Sequence, residues 1–99
     1  MNTDQADQIL DLSPQANRRA FDLIQQKMLK GLNSTRMNVR YDYIEWCFSD
    51  GSMVELEVLR DFNNDMKPYQ VVVAEYAETT ERAGPCHYKL VSHDQFEIK

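Results

Sequence analysis

The chain is poor in the residues that bend or cross-link small proteins: three glycines, three prolines and two cysteines in 99 positions. Neither G-x-x-x-x-G-K-[ST] nor G-x-G-x-x-G occurs, so no glycine-rich loop is available to cradle a phosphate. G-x-S-x-G and H-E-x-x-H are absent too, which removes the nucleophile elbow and the helical zinc motif. Cys47 and Cys86 are too few for the disulfide framework of a small secreted domain. Both are expected as free thiols in a reducing cytoplasm, with a Cys47–Cys86 bridge as the alternative. No apolar run approaches the roughly 18–20 residues of a membrane helix. The opening MNTDQADQILDL carries three aspartates and no Lys or Arg, unlike the basic start and apolar stretch of a secretory signal.

What is present is acid. Sixteen Asp and Glu against eleven Lys and Arg give a net charge of −5. The excess is unevenly spread. Residues 1–12 hold Asp4, Asp7 and Asp11, for −3. Residues 13–36 hold Arg18, Arg19, Lys27, Lys30 and Arg36 against Asp22, for +4. Residues 37–99 hold twelve acids and six bases, for −6. A basic segment thus precedes a strongly acidic one, an asymmetry that points to a partner surface. At 99 residues the chain has room for one modest core. Residues 1–12 read as a flexible acidic arm, with Ile9, Leu10 and Leu12 anchoring its end, and 13–99 as a single domain.

Ser13-Pro14 is the clearest helix start. A serine hydroxyl accepts an orphan backbone N–H at the N-cap, and proline at the first helical position loses no bond. Ala16, Ala20, Phe21, Leu23, Ile24, Met28 and Leu32 recur at three- and four-residue steps, which predicts one apolar stripe. Lys27 and Lys30 suit the negative helix end, and Gly31 the C-cap. The helix is expected over 14–30.

Strand patterns follow. Residues 37–48 are rich in β-branched and aromatic types, and 53–60 alternate cleanly. A three-residue loop, Ser49-Asp50-Gly51, pairs Trp46 with Val54 and Ile44 with Leu56, with Gly51 at the left-handed position. It also sets Glu45 opposite Glu55, a like-charge pair on the outer face. A two-residue Asp50-Gly51 loop would mix core and surface on one face. The apolar positions switch from odd (Met37, Val39) to even (Ile44, Trp46, Phe48) near Tyr43, read here as a bulge or a strand covered on both sides. Residues 61–68 form a polar connection and 69–77 a third strand. Residues 77–85 form a loop with a Gly84-Pro85 turn. His87–Ser92 pairs last, with Gln95–Ile98 as a further segment.

These elements predict an α+β fold: one N-terminal amphipathic helix packed on a four-stranded antiparallel sheet, or a five-stranded one if 95–98 pairs. The layout is similar to the cystatin-like arrangement, in architecture only, since no cystatin inhibitory motif is present.

The chemistry-bearing residues form no catalytic set. His87 and His93 have H-x₅-H spacing but no C-x-x-C partner, and read as surface histidines. Cys86 and His87 are sequence neighbours, which on a strand point to opposite faces. Glu45, Glu55 and Glu57 cluster on the outer face, where carboxylates usually form a polar surface. Arg40-Tyr41-Asp42-Tyr43 faintly resembles an aromatic RNA platform, but the −6 sheet segment opposes binding to a polyanion. No cofactor, metal or enzymatic activity is expected.

The reading is a small cytoplasmic protein-binding module: an inhibitor, an immunity-type antidote or a regulator. It would act by steric and electrostatic occlusion of a basic partner surface. Asp42, Tyr43, Glu45, Glu55, Glu57 and Tyr76 are the expected contacts. One alternative is a small-molecule-binding or minor enzymatic domain, with a helix–sheet pocket lined by Tyr41, Tyr43, Trp46 and His87. Another is a homodimer paired through a sheet edge.

Overall fold

The computed structural model describes residues 3–78 and 88–98. Two helices, α1 (Thr3–Asp11) and α2 (Pro14–Leu29), precede five strands: β1 (Ser34–Arg40), β2 (Tyr43–Phe48), β3 (Met53–Asp61), β4 (Lys67–Glu78) and β5 (Tyr88–Glu97). The strands form one antiparallel meander in chain order. The fold is therefore α+β, with one more helix than expected and a five-stranded sheet, the larger of the two strand counts expected, although the fifth strand is not the separate 95–98 segment.

Caps define α2. Ser13 is its N-cap, and its hydroxyl accepts from the Ala16 amide at 3.2 Å. At the other end Leu32 N–H donates to the Lys27 carbonyl (3.1 Å) and Gly31 N–H to that of Met28 (3.0 Å). That paired closure requires a left-handed residue, which Gly31 provides at φ 86°. The buried stripe is Ala16, Ala20, Leu23 and Lys27, spaced four, three and four apart as one helical face requires. Phe21 and Met28, assigned to the stripe from periodicity, flank it and are exposed.

The stretch read as a flexible arm contains α1. Ala6 and Ile9, one turn apart, are both buried in the core, with Leu10 and Leu12 packed alongside. A nine-residue helix is marginal alone, so packing against its neighbours stabilises it.

The extra strand comes from splitting residues 37–48. Arg40 pairs with Tyr43 and Val39 with Ile44, so Tyr41 and Asp42 form a tight two-residue turn, with Asp42 at φ 60°. Pairing an odd with an even position carries the apolar set from odd numbers on β1 to even numbers on β2. The parity switch was thus a hairpin, not a bulge. The next hairpin follows its expected register: Trp46 faces Val54, Ile44 faces Leu56 and Glu45 faces Glu55. Gly51, at φ 84°, ends its three-residue loop. Residues 88–97 form one continuous strand rather than two segments. The expected Gly84-Pro85 turn lies outside the described residues.

Among the described elements both helices lie on one sheet face. There Ile44, Leu56, Val54, Val71 and Val73 are fully buried, each stabilising the fold by up to about 1.5–3 kcal/mol. Cross-layer ion pairs join the layers: Arg19–Asp94 at 2.9 Å and Lys27–Glu75 at 2.9 Å. The basic segment is thus partly neutralised by the acidic sheet behind it.

Candidate functional site

The second face of the sheet carries most of the expected contact residues. Alternation puts Tyr43, Glu45 and Cys47 of β2 on that face, opposite Glu57, Glu55 and Met53 of β3. β4 adds Tyr76, opposite Met53, and Ala74, opposite Glu55. β1 adds Asn38, opposite Glu45. Tyr43, Glu45, Glu55, Glu57 and Tyr76 are therefore brought together.

Asp42 is not among them. It sits in the β1–β2 turn, where Arg60 Nε and Nη2 reach its two carboxylate oxygens at 2.6 and 3.0 Å. The Tyr41 ring lies over the same guanidinium, 5.5 Å from its carbon. That bidentate pair satisfies the Asp42 charge internally. Beside it is a cleft of about 260 Å³, lined by Gln8, Ile9, Leu12, Tyr41, Asp42 and Arg60.

At the centre of the second face, the Tyr43 hydroxyl lies 2.8 Å from Glu45 Oε2 and 2.5 Å from Glu55 Oε1. The Asn38 amide donates to Glu45 Oε1 at 2.9 Å, and the Cys47 thiol reaches the same oxygen at 3.3 Å. Tyr76 also hydrogen-bonds Glu55. The two carboxyls consequently differ. Burial, then the charges of Glu45 and Glu57, push Glu55 above the ordinary glutamate value, although its tyrosine hydrogen bonds act the other way. Burial would raise Glu45 as well, but donors from Asn38, Tyr43 and Cys47, with Arg36 nearby, hold it below the ordinary value. Burial, then the two carboxylates, raise the Tyr43 hydroxyl strongly, so it stays protonated.

No family model, curated protein or solved structure matches this chain.

The other candidate sets disperse. Trp46 is buried under the α2 face, its ring 6.0 Å from that of Phe21, whereas Tyr43 lies across the sheet and Tyr41 in a turn. These three do not line one pocket, and His87 lies outside the described residues. Cys47 is a free thiol that burial shifts upward despite Arg36, so it stays protonated near neutrality. Cys86 lies outside the described residues. His93 is on β5 opposite Ala74, and no metal-binding group of three or more His, Cys, Asp or Glu occurs among the described residues. No described helix is long and apolar enough to cross a membrane.

Sequence reasoning missed Asn38 and Arg36, which depend on the unrecognised hairpin at 41–42. It also missed the buried position of Lys27. Its ammonium lies 2.9 Å from Ser52 Oγ and 5.5 Å from the Phe48 ring centre. Only its position, four residues beyond Leu23 on the stripe, signalled this.

Proposed function

We propose that this chain is a protein-binding module that docks the second face of its sheet onto a cationic surface of a partner, and acts by occluding it. The observation that carries the reading is how the acids are distributed. Asp42, Glu75 and Asp94 are each paired with a cation of the same chain. Glu45, Glu55 and Glu57 share one face, and among the described residues none of the three is in a salt bridge. These three form a cluster of carboxylates on the second face, with Arg36 of β1 at its margin opposite Cys47. Tyr43 and Tyr76 lie among these carboxylates, and the exposed Tyr88 and Leu90 continue the face on β5. Aromatic anchors within a charged surround suit affinity combined with electrostatic steering.

An inhibitory, immunity-type or regulatory role in the cytoplasm is consistent with such occlusion, which requires no chemistry.

The test is salt dependence. Association with a purified partner is expected to slow at least about tenfold between about 50 and about 500 mM salt, and to slow further in Glu57→Lys. A rate independent of both would contradict electrostatic docking.

A second reading, a homodimer through the β5 edge, is favoured by the exposure of Tyr88, Leu90 and Val91 along that strand. Sedimentation decides it: a single 11.6 kDa species at micromolar concentration contradicts a stable dimer.

A further inference from the structure

Tyr43 makes two hydrogen bonds to carboxyl oxygens, at 2.8 Å to Glu45 and 2.5 Å to Glu55. A phenol has one hydrogen to donate, so it can satisfy one carboxylate only. The second contact is a hydrogen bond only if that carboxyl carries a proton and donates it to the Tyr43 oxygen. Without that proton, two ionised groups would converge on one hydroxyl across a like-charge pair in register.

We infer that the Glu45–Tyr43–Glu55 chain holds one proton between its two carboxyls, carried by Glu55, and that its loss as pH rises adds a negative charge to the second face. The donors decide which carboxyl holds it. Glu45 Oε1 accepts from Asn38 and faces the Cys47 thiol, and Arg36 of β1 lies near enough to act on it. Those groups favour an ionised Glu45. The groups around Glu55 are Glu45, Tyr43, Glu57 on its own strand and Tyr76 on β4. The two tyrosine hydroxyls act towards an ionised Glu55, but burial and the like charges of Glu45 and Glu57 outweigh them and favour a neutral one. The direction of donation is then complete: Glu55 O–H to Tyr43 oxygen, Tyr43 O–H to Glu45 Oε2, with the Tyr76 hydroxyl on Glu55. Loss of the proton leaves Glu55 without a donor role, and its contact with Tyr43 loses its hydrogen.

The consequence for docking rests on the reading above: a cationic partner would prefer the deprotonated face. The proton itself does not depend on that reading and is measured on the free protein. Carbon-detected NMR of the glutamate side chains follows each carboxyl in the full chain, titrated downward from neutral pH while backbone dispersion reports the fold. Glu55 is expected to titrate above the ordinary glutamate value and Glu45 below it, each curve inflecting where the other titrates. Glu45→Gln should lower the Glu55 midpoint more than Glu57→Gln does, because Glu45 is bridged to it and Glu57 acts through space alone. A Glu55 midpoint at the ordinary value, or equal effects of the two substitutions, would overturn the inference. Failure of the salt test with the Glu55 midpoint still raised would remove the docking reading and leave the proton in place.

Discussion

The Lys27 ammonium lies 2.9 Å from the Glu75 carboxylate, between α2 and the sheet, with only 8% of the lysine side chain accessible. It also donates to Ser52, whose hydroxyl bonds Asp50 in the β2–β3 loop. One cation therefore connects the last turn of the helix, a hairpin loop and β4. A charge so placed is costly to leave unpaired, although the pair itself contributes little beyond what apolar packing would.

Removing one partner should expose that cost. Glu75→Ala is expected to destabilise the fold by about 2–4 kcal/mol, because Lys27 stays buried without its counter-charge. Lys27→Met combined with Glu75→Leu should recover most of the loss. Urea unfolding of the single and double variants measures both. Equal destabilisation by the two would show that packing, not the unpaired charge, dominates.

Local caps make a second, independent prediction. Ser13→Ala removes the acceptor for the Ala16 amide and should cost about 1 kcal/mol. Gly31→Ala meets no atom within 4 Å, so its expected cost of about 1 kcal/mol comes from the left-handed φ alone. The two sites are at opposite ends of α2, and their effects should add.

These caps were legible because they depend on adjacent residues. Ser13-Pro14 and Gly31 set the ends of α2 whatever it packs against. The hairpin at 49–51 was legible for a related reason: only one loop length kept Trp46, Ile44, Val54 and Leu56 on a common face. The hairpin at 41–42 was not, because Tyr41-Asp42 has no glycine or asparagine to announce a turn, and the parity switch has two readings without its pairing. α1 was hidden because two buried positions, Ala6 and Ile9, make a weak periodic signal. For the site, Glu45 facing Glu55 followed from register. The loss of Asp42 to Arg60 did not, since the partner lies eighteen residues away.

The core predicts a large local penalty. Ile44 and Leu56 face each other at 0% and 1% exposure. Ile44→Ala should cost about 2–5 kcal/mol as a cavity substitution, whereas Ile44→Val should cost about 0.5–1.5 kcal/mol. Thermal or denaturant unfolding gives both values, and a similar cost for the two would mean the site relaxes around the void.

Stability should depend on pH through the two bridged carboxyls in opposite senses. Glu55 is raised in the folded state, so its contribution is present below the ordinary glutamate value and is lost as pH rises through the folded one. Glu45 is lowered, so its contribution is present above the ordinary value and is lost as pH falls through the folded one. Glu55→Gln mimics the protonated side chain. Relative to the unsubstituted protein it should gain stability as pH rises from acid towards neutral, measured by urea midpoints across that range. A difference that stays constant with pH would contradict the assignment.

The docking account is tested most directly by titrating the isotope-labelled protein with a short arginine-rich peptide and following backbone amide shifts. At about 50 mM salt, shifts are expected at Glu45, Cys47, Glu55, Glu57 and Tyr76, and they should fade at about 500 mM as screening shortens the range of the field. Shifts that instead map to α2 and the Arg60 cleft, or that persist unchanged at high salt, would contradict it.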